Sequence, residues 1–148
     1  MRRTALAFTT GLALGALVLT TGCGDDNGST GDAPTKAEFV KQVEPLYKKF
    51  QRDIQAAGDQ FFSGSTKRSE ADFVNEKLTP LLQGFLDDLG QLTPPEGDEQ
   101  EVAAIIDAGE QGLKEVQANP SLLRAPQGSK KDPFREFSQL GPAYFDFG

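Results

Sequence analysis

Histidine and tryptophan are absent from this 148-residue chain, and cysteine occurs once, at Cys23. Without histidine the chain lacks the usual general base and the commonest transition-metal ligand. A single cysteine cannot close a disulfide within the chain, so the fold must stand on packing. Nucleophilic catalysis is then reduced to a Ser–Lys arrangement. Ser129-Lys130-Lys131 is the nearest approach, and it lacks the helical spacing such sites use. No segment alternates as a strand does, so no glycine-rich phosphate loop can follow one. No apolar run gives a confident membrane span, which needs about 20 residues. Positive charge is also in short supply, with 15 Lys and Arg against 22 Asp and Glu and a net charge of −7. That balance is a poor electrostatic match for nucleic acid or for anionic headgroups.

What is present begins with an address. Residues 1–22 run from Arg2-Arg3 through an apolar stretch, Thr4 to Leu19, to the small residues Thr21-Gly22 before Cys23. Cationic, apolar, then small is the order of an export signal. The end of the stretch resembles the lipobox of bacterial lipoproteins, with Thr20 where leucine is commonest. That resemblance implies a diacylglyceryl thioether on Cys23 and cleavage just before it. The product would be 126 residues held on the outer face of the cytoplasmic membrane. The removed segment carries two arginines and no acid, so the mature chain has a net charge of −9.

Residues 23–34 read as a flexible acidic tether, Cys23 followed by Asp, Gly, Ser and Asn with no large apolar group. Asp25, Asn27 and Ser29 alternate as calcium ligands do. An EF-hand would then need glycine and glutamate where Thr30 and Lys36 stand.

Residues 35–148 form one helical domain. Thr35 and Glu38 make a capping box. Phe39, Val43, Leu46, Phe50, Ile54, Ala57 and Phe61 then recur at steps of three and four, one face of a helix ending at Ser63-Gly64-Ser65. A second helix spans about Ser69 to Leu92 and a third begins near Asp98 and stops at Asn119-Pro120. Pro45 and Pro80 lie inside the first two and predict kinks. The octets Val43–Phe50 and Leu78–Phe85 share a pattern of apolar, polar, Pro, Leu, apolar, two polar, Phe. Gly109 and Gly112 lie on or beside the apolar face of the third helix, which predicts a neighbouring helix at close approach. Asp132-Pro133 opens a short fourth helix, Phe134 to Leu140, closed by Gly141. The expected architecture is all-α: a small bundle of three long helices and a short one, after signal and tether. The tail Tyr144-Phe145-Asp146-Phe147 is too apolar to be left free and is expected against the first helix near Leu46 to Phe50.

The layout resembles small helical lipoproteins of high-GC Gram-positive bacteria. The residues that carry this are Thr35-Lys36-Ala37-Glu38-Phe39, Leu92-Thr93-Pro94-Pro95-Glu96, Ala118-Asn119-Pro120 and Asp132-Pro133-Phe134. Many members have a cysteine in the first helix and another near the C-terminus, suited to pair; this chain has neither. The resemblance implies location and fold, and no established activity.

Function is therefore expected to be non-catalytic binding of an envelope protein or an apolar ligand, without cofactor, metal or nucleic acid. Phe61-Phe62 and Tyr144-Phe145 with Phe147 are the aromatics that could line an apolar pocket or present a binding patch. Two alternatives stay open: a carboxylate-dependent hydrolase acting on envelope polymers, and a purely structural envelope component. Asp87-Asp88 are a poor acid pair for the first, because neighbours on a helix point about 100° apart. Replacing Cys23 with serine should release the protein from the membrane or leave it unprocessed. A wild-type N-terminus without a lipid mass shift would contradict the anchor.

Overall fold

The computed structural model describes residues 33–63 and 69–146. The export signal, Cys23, most of the tether, Gly64-Ser65 and Phe147 lie outside the described residues. The rest is helical: α1 Lys36–Phe62, α2 Glu70–Phe73, α3 Thr79–Gly90, α4 Glu99–Ala118 and α5 Arg135–Phe145. A π-helical turn, Val74–Leu78, joins α2 to α3, and a 3₁₀ turn, Pro120–Arg124, follows α4. The α2–π–α3 run is one rod, so four rods make the bundle expected from the periodicity. No helix among the described residues is long and apolar enough to cross a membrane.

Local chemistry sets the helix starts. Thr35 Oγ1 accepts from the Glu38 amide, and Glu38 accepts from the Thr35 amide at 2.9 Å. Ser69 and Asp72 repeat the arrangement. Each box satisfies two backbone donors that the first turn would otherwise leave open. α1 runs unbroken through Pro45. Pro80 is accommodated differently from the expected kink. In a regular helix its ring would press on the carbonyl four residues back. The chain widens into the π turn just before it, with the Thr79 amide donating to the Val74 carbonyl. Pro80 thereby falls in the first turn of α3, where a missing N–H costs least.

α3 packs against both α1 and α4, and α4 packs against α5. The core is apolar throughout: Phe39, Val43, Leu82, Leu86, Leu89, Ile105 and Val116 are essentially inaccessible. Surface ion pairs such as Lys48–Glu44 and Lys49–Asp53 join exposed side chains. Pairs of this kind contribute about 0–1 kcal/mol each.

The two glycines of α4 meet their expected neighbours. A methyl group on Gly109 would lie 2.8 Å from Cδ2 of Leu86 on α3 and 3.2 Å from Cδ2 of Phe137 on α5. On Gly112 it would lie 2.5 Å from Cδ1 of Phe134 and 2.6 Å from the carbonyl oxygen of Pro133. The side chain at Gly109 could shift; the backbone at Gly112 could not without moving α5.

Gly141 does not close the last helix, contrary to expectation. α5 continues through Pro142 to Phe145. Magnitudes explain why. The proline costs about 3 kcal/mol. Continuing the 3–4 spacing through Phe134, Phe137, Gly141 and Tyr144-Phe145 buries two more rings, each contributing about 1.5–3 kcal/mol. The helix ends at Asp146, whose φ of 42° is left-handed, a conformation aspartate tolerates better than most residues.

These contacts predict opposite signs for one substitution at different glycines. Gly58 and Gly84 have open space where a Cβ would stand, so Gly58→Ala and Gly84→Ala should each stabilise by about 0.5–1 kcal/mol. Gly112→Ala should destabilise by about 1–3 kcal/mol through overpacking. Urea melts of the three variants check this, and equal signs would contradict the close-packed seam.

Candidate functional site

The tail docks on α1, as expected, but nearer its start than residues 46–50. Tyr144 and Phe145 are buried. Their rings lie 6.4 and 6.3 Å from that of Phe39. The displacement follows from the extra turn of α5, which carries the rings along the bundle instead of turning them back. Tyr144 ties three elements together. Its hydroxyl donates to Asp98 Oδ2 at 2.7 Å, and Lys36 Nζ sits 4.0 Å from its ring centroid. Asp98 makes no side-chain cap for α4. Burial first, and then the bond to Asp98, pushes the Tyr144 phenol well above its ordinary range. It therefore stays a neutral donor at any physiological pH.

The same docking shapes a cavity of about 300 Å³ between α1, α3, α4 and α5. Buried Phe85, Ile105, Gly141 and Phe145 form its floor, and half-buried Tyr47, Phe50, Phe134 and Phe137 its walls. Gln51, Gln127 and Ser138 supply the polar rim. Phe85 is the hub: it stacks on Phe50 at 5.2 Å and 25°, and meets Tyr47 at 6.1 Å and Phe137 edge-on at 6.4 Å. Each position has a local cause. Phe50 and Phe85 end the two matched octets, one on α1 and one on α3, and the packing of those helices brings them together. Phe134 is held by Asp132, whose Oδ1 accepts from the Phe134 amide at 3.0 Å and whose Oδ2 accepts from the Gly128 amide at 2.6 Å. Gly128, at φ 75°, makes the left-handed turn that presents Gln127. The cavity persists over Gly141 because that residue has no side chain and nothing lies within 4 Å of where a Cβ would be.

Of the aromatics singled out in the sequence, Phe145 alone lines this cavity among those described. Phe61 is buried and Phe62 is 56% exposed, both in contact with Phe73 at the far end of α1. Phe85, Phe134 and Phe137 were not singled out; the octet match was the available signal for Phe85. Two shallower depressions of about 450 and 430 Å³ are lined largely by polar residues of α4 and α5.

The candidates for chemistry remain apart. Asp87 accepts from Gln83 at 3.0 Å, and both Asp87 and Asp88 are exposed. Ser129 Oγ accepts from the Lys131 amide at 3.3 Å. Among the described residues no three acids gather closely enough to hold a metal ion. Glu70 pairs with Arg124, and that contact holds its carboxyl below the usual range. Compared with protein-family models, with curated proteins and with solved structures, the chain matches none.

Tyr144→Phe should keep the ring packing and lose the bond to Asp98, costing about 1 kcal/mol. Deleting residues 143–148 removes both rings and should cost at least about 3 kcal/mol. Thermal or urea melting of both variants measures the difference. A truncated chain that melts like the wild type would contradict the docked tail.

Proposed function

We propose that the chain is a lipid-anchored extracytoplasmic lipoprotein whose helical domain is a non-catalytic binding module for a small apolar ligand. The anchor rests on Thr21-Gly22-Cys23 behind the Arg2-Arg3 apolar stretch. Two acyl chains, at about 0.8 kcal/mol per buried CH₂, would hold it stably at a membrane. The observation that carries the binding reading is the ring-lined cavity around Phe85. Its volume is at the lower end for small-molecule sites, about 300–1,000 Å³, and its lining, mostly apolar with a few polar groups at one side, is typical of them. Apolar walls favour an apolar guest by removing its surface from water.

The test is the protein as the cell makes it. Purified from its own membranes in mild detergent, it should show in native mass spectrometry a second mass above the lipidated polypeptide, lost on mild activation. Organic extraction should recover that small molecule. A protein carrying its lipid and nothing else, with an extract equal to the blank, would contradict ligand carriage.

A further inference from the structure

Resting on that reading, we propose that the cavity around Phe85 selects an uncharged, flat molecule of about two fused aromatic rings bearing a carbonyl or hydroxyl group. Three observations converge on this class: charge, size and shape.

A quarter of the residues in this chain are charged, yet among the described residues no charged side chain lines the cavity. A carboxylate or ammonium at the rim would give up part of its hydration for two amides and a hydroxyl with no partner ion beside it, which disfavours a charged guest relative to a neutral one. The net charge of −7 on the whole chain adds a further bias against anions. The polar groups at the rim are two amides and one hydroxyl, Gln51, Gln127 and Ser138. Each can both donate and accept, which suits a carbonyl or hydroxyl held at the mouth while the rest of the guest lies on the floor.

Size follows from volume. An apolar cavity of about 150 Å³ takes up benzene, and this one measures about 300 Å³. Two rings fit; the paired chains of a phospholipid do not. Shape follows from the walls. Aromatic rings recognise other rings through offset and edge-to-face contacts. Phe50, Phe137 and Tyr47 surround Phe85 in both kinds of orientation. A flexible alkyl chain would fill the space but forgo those contacts and lose its rotamer freedom.

Gly141 provides a specific lesion. It is buried on the cavity floor with open space above its Cα. A leucine there would grow into the cavity. The residue before a proline resists helical backbone once it has a Cβ, but Glu44-Pro45 and Thr79-Pro80 carry that arrangement in this chain. Gly141→Leu should therefore fold and close the site.

The experiment uses the Cys23→Ser chain recovered in released form without detergent, so that no acyl chain or micelle competes for the probes. Calorimetry would compare 2-acetonaphthone, which is neutral, with 2-naphthoate, the same rings carrying a carboxylate, and decanoate, an anionic chain. The expected result is one saturable site for 2-acetonaphthone, with the other two at least tenfold weaker. Gly141→Leu should weaken 2-acetonaphthone at least tenfold without lowering the melting temperature. Gln51→Ala, on the exposed rim, should weaken it several-fold and provides the check if Gly141→Leu does not fold. Naphthoate or decanoate binding as tightly as the ketone would overturn the ligand class and leave an apolar pocket standing. Saturable ketone binding indifferent to both substitutions would place the site elsewhere and overturn the assignment. No saturable binding of any probe would overturn both this inference and the binding role.

Discussion

The contact between α4 and α5 at Gly109 and Gly112 governs this molecule. Two glycines in mid-helix cost about 2 kcal/mol relative to alanine. Their return is proximity. Phe134 and the Pro133 carbonyl press on Gly112, while Leu86 and Phe137 close over Gly109. Phe137 is thereby held edge-on to Phe85 of α3, and α5 lies along α4 far enough to carry Tyr144 to Asp98 and Phe145 to Phe39. In a chain with no disulfide available, this seam and the docked tail close the bundle. Packing without covalent staples leaves the interior sensitive to single methyl groups.

The cavity is a consequence of the same geometry. α5 stays helical through Gly141-Pro142, so the residue over the cavity floor has no side chain to fill it. The aromatic lining is mostly phenylalanine, the chain's dominant aromatic, with 11 residues against two tyrosines and no tryptophan. Held at a membrane as proposed, a helical domain with a small apolar pocket would suit capture of apolar molecules.

Much of the fold was legible because it is written locally. Thr35 with Glu38 and Ser69 with Asp72 are caps whose chemistry needs only three residues of separation. The 3–4 spacing from Phe39 to Phe61 selects the buried face of α1 without knowledge of its partners, although Leu46, Phe50 and Ile54 end up only partly buried. Glycine on an apolar helix face announced a close neighbour. The misreadings are where distant contacts override local rules. Gly141-Pro142 reads as a stop, but the two rings beyond it gain more by continuing the helical stripe than the proline costs. Pro80 reads as a kink, but the chain shifts register through a π turn and keeps Val74 and Leu78 buried. The cavity was the least legible feature. It is a space between four elements, and periodicity reports which residues face inward, not where they fail to meet.

Ile105 offers the most direct view of that space. The chain has three isoleucines, Ile54, Ile105 and Ile106, and of these Ile105 alone lines the cavity. A methyl-labelled NMR spectrum therefore contains one reporter for the site and two internal references. Titration with 2-acetonaphthone should move the Ile105 methyl signal saturably and leave that of Ile54 in place. An unmoved Ile105 signal, or equal drift of all three, would contradict a ligand site built around Phe85.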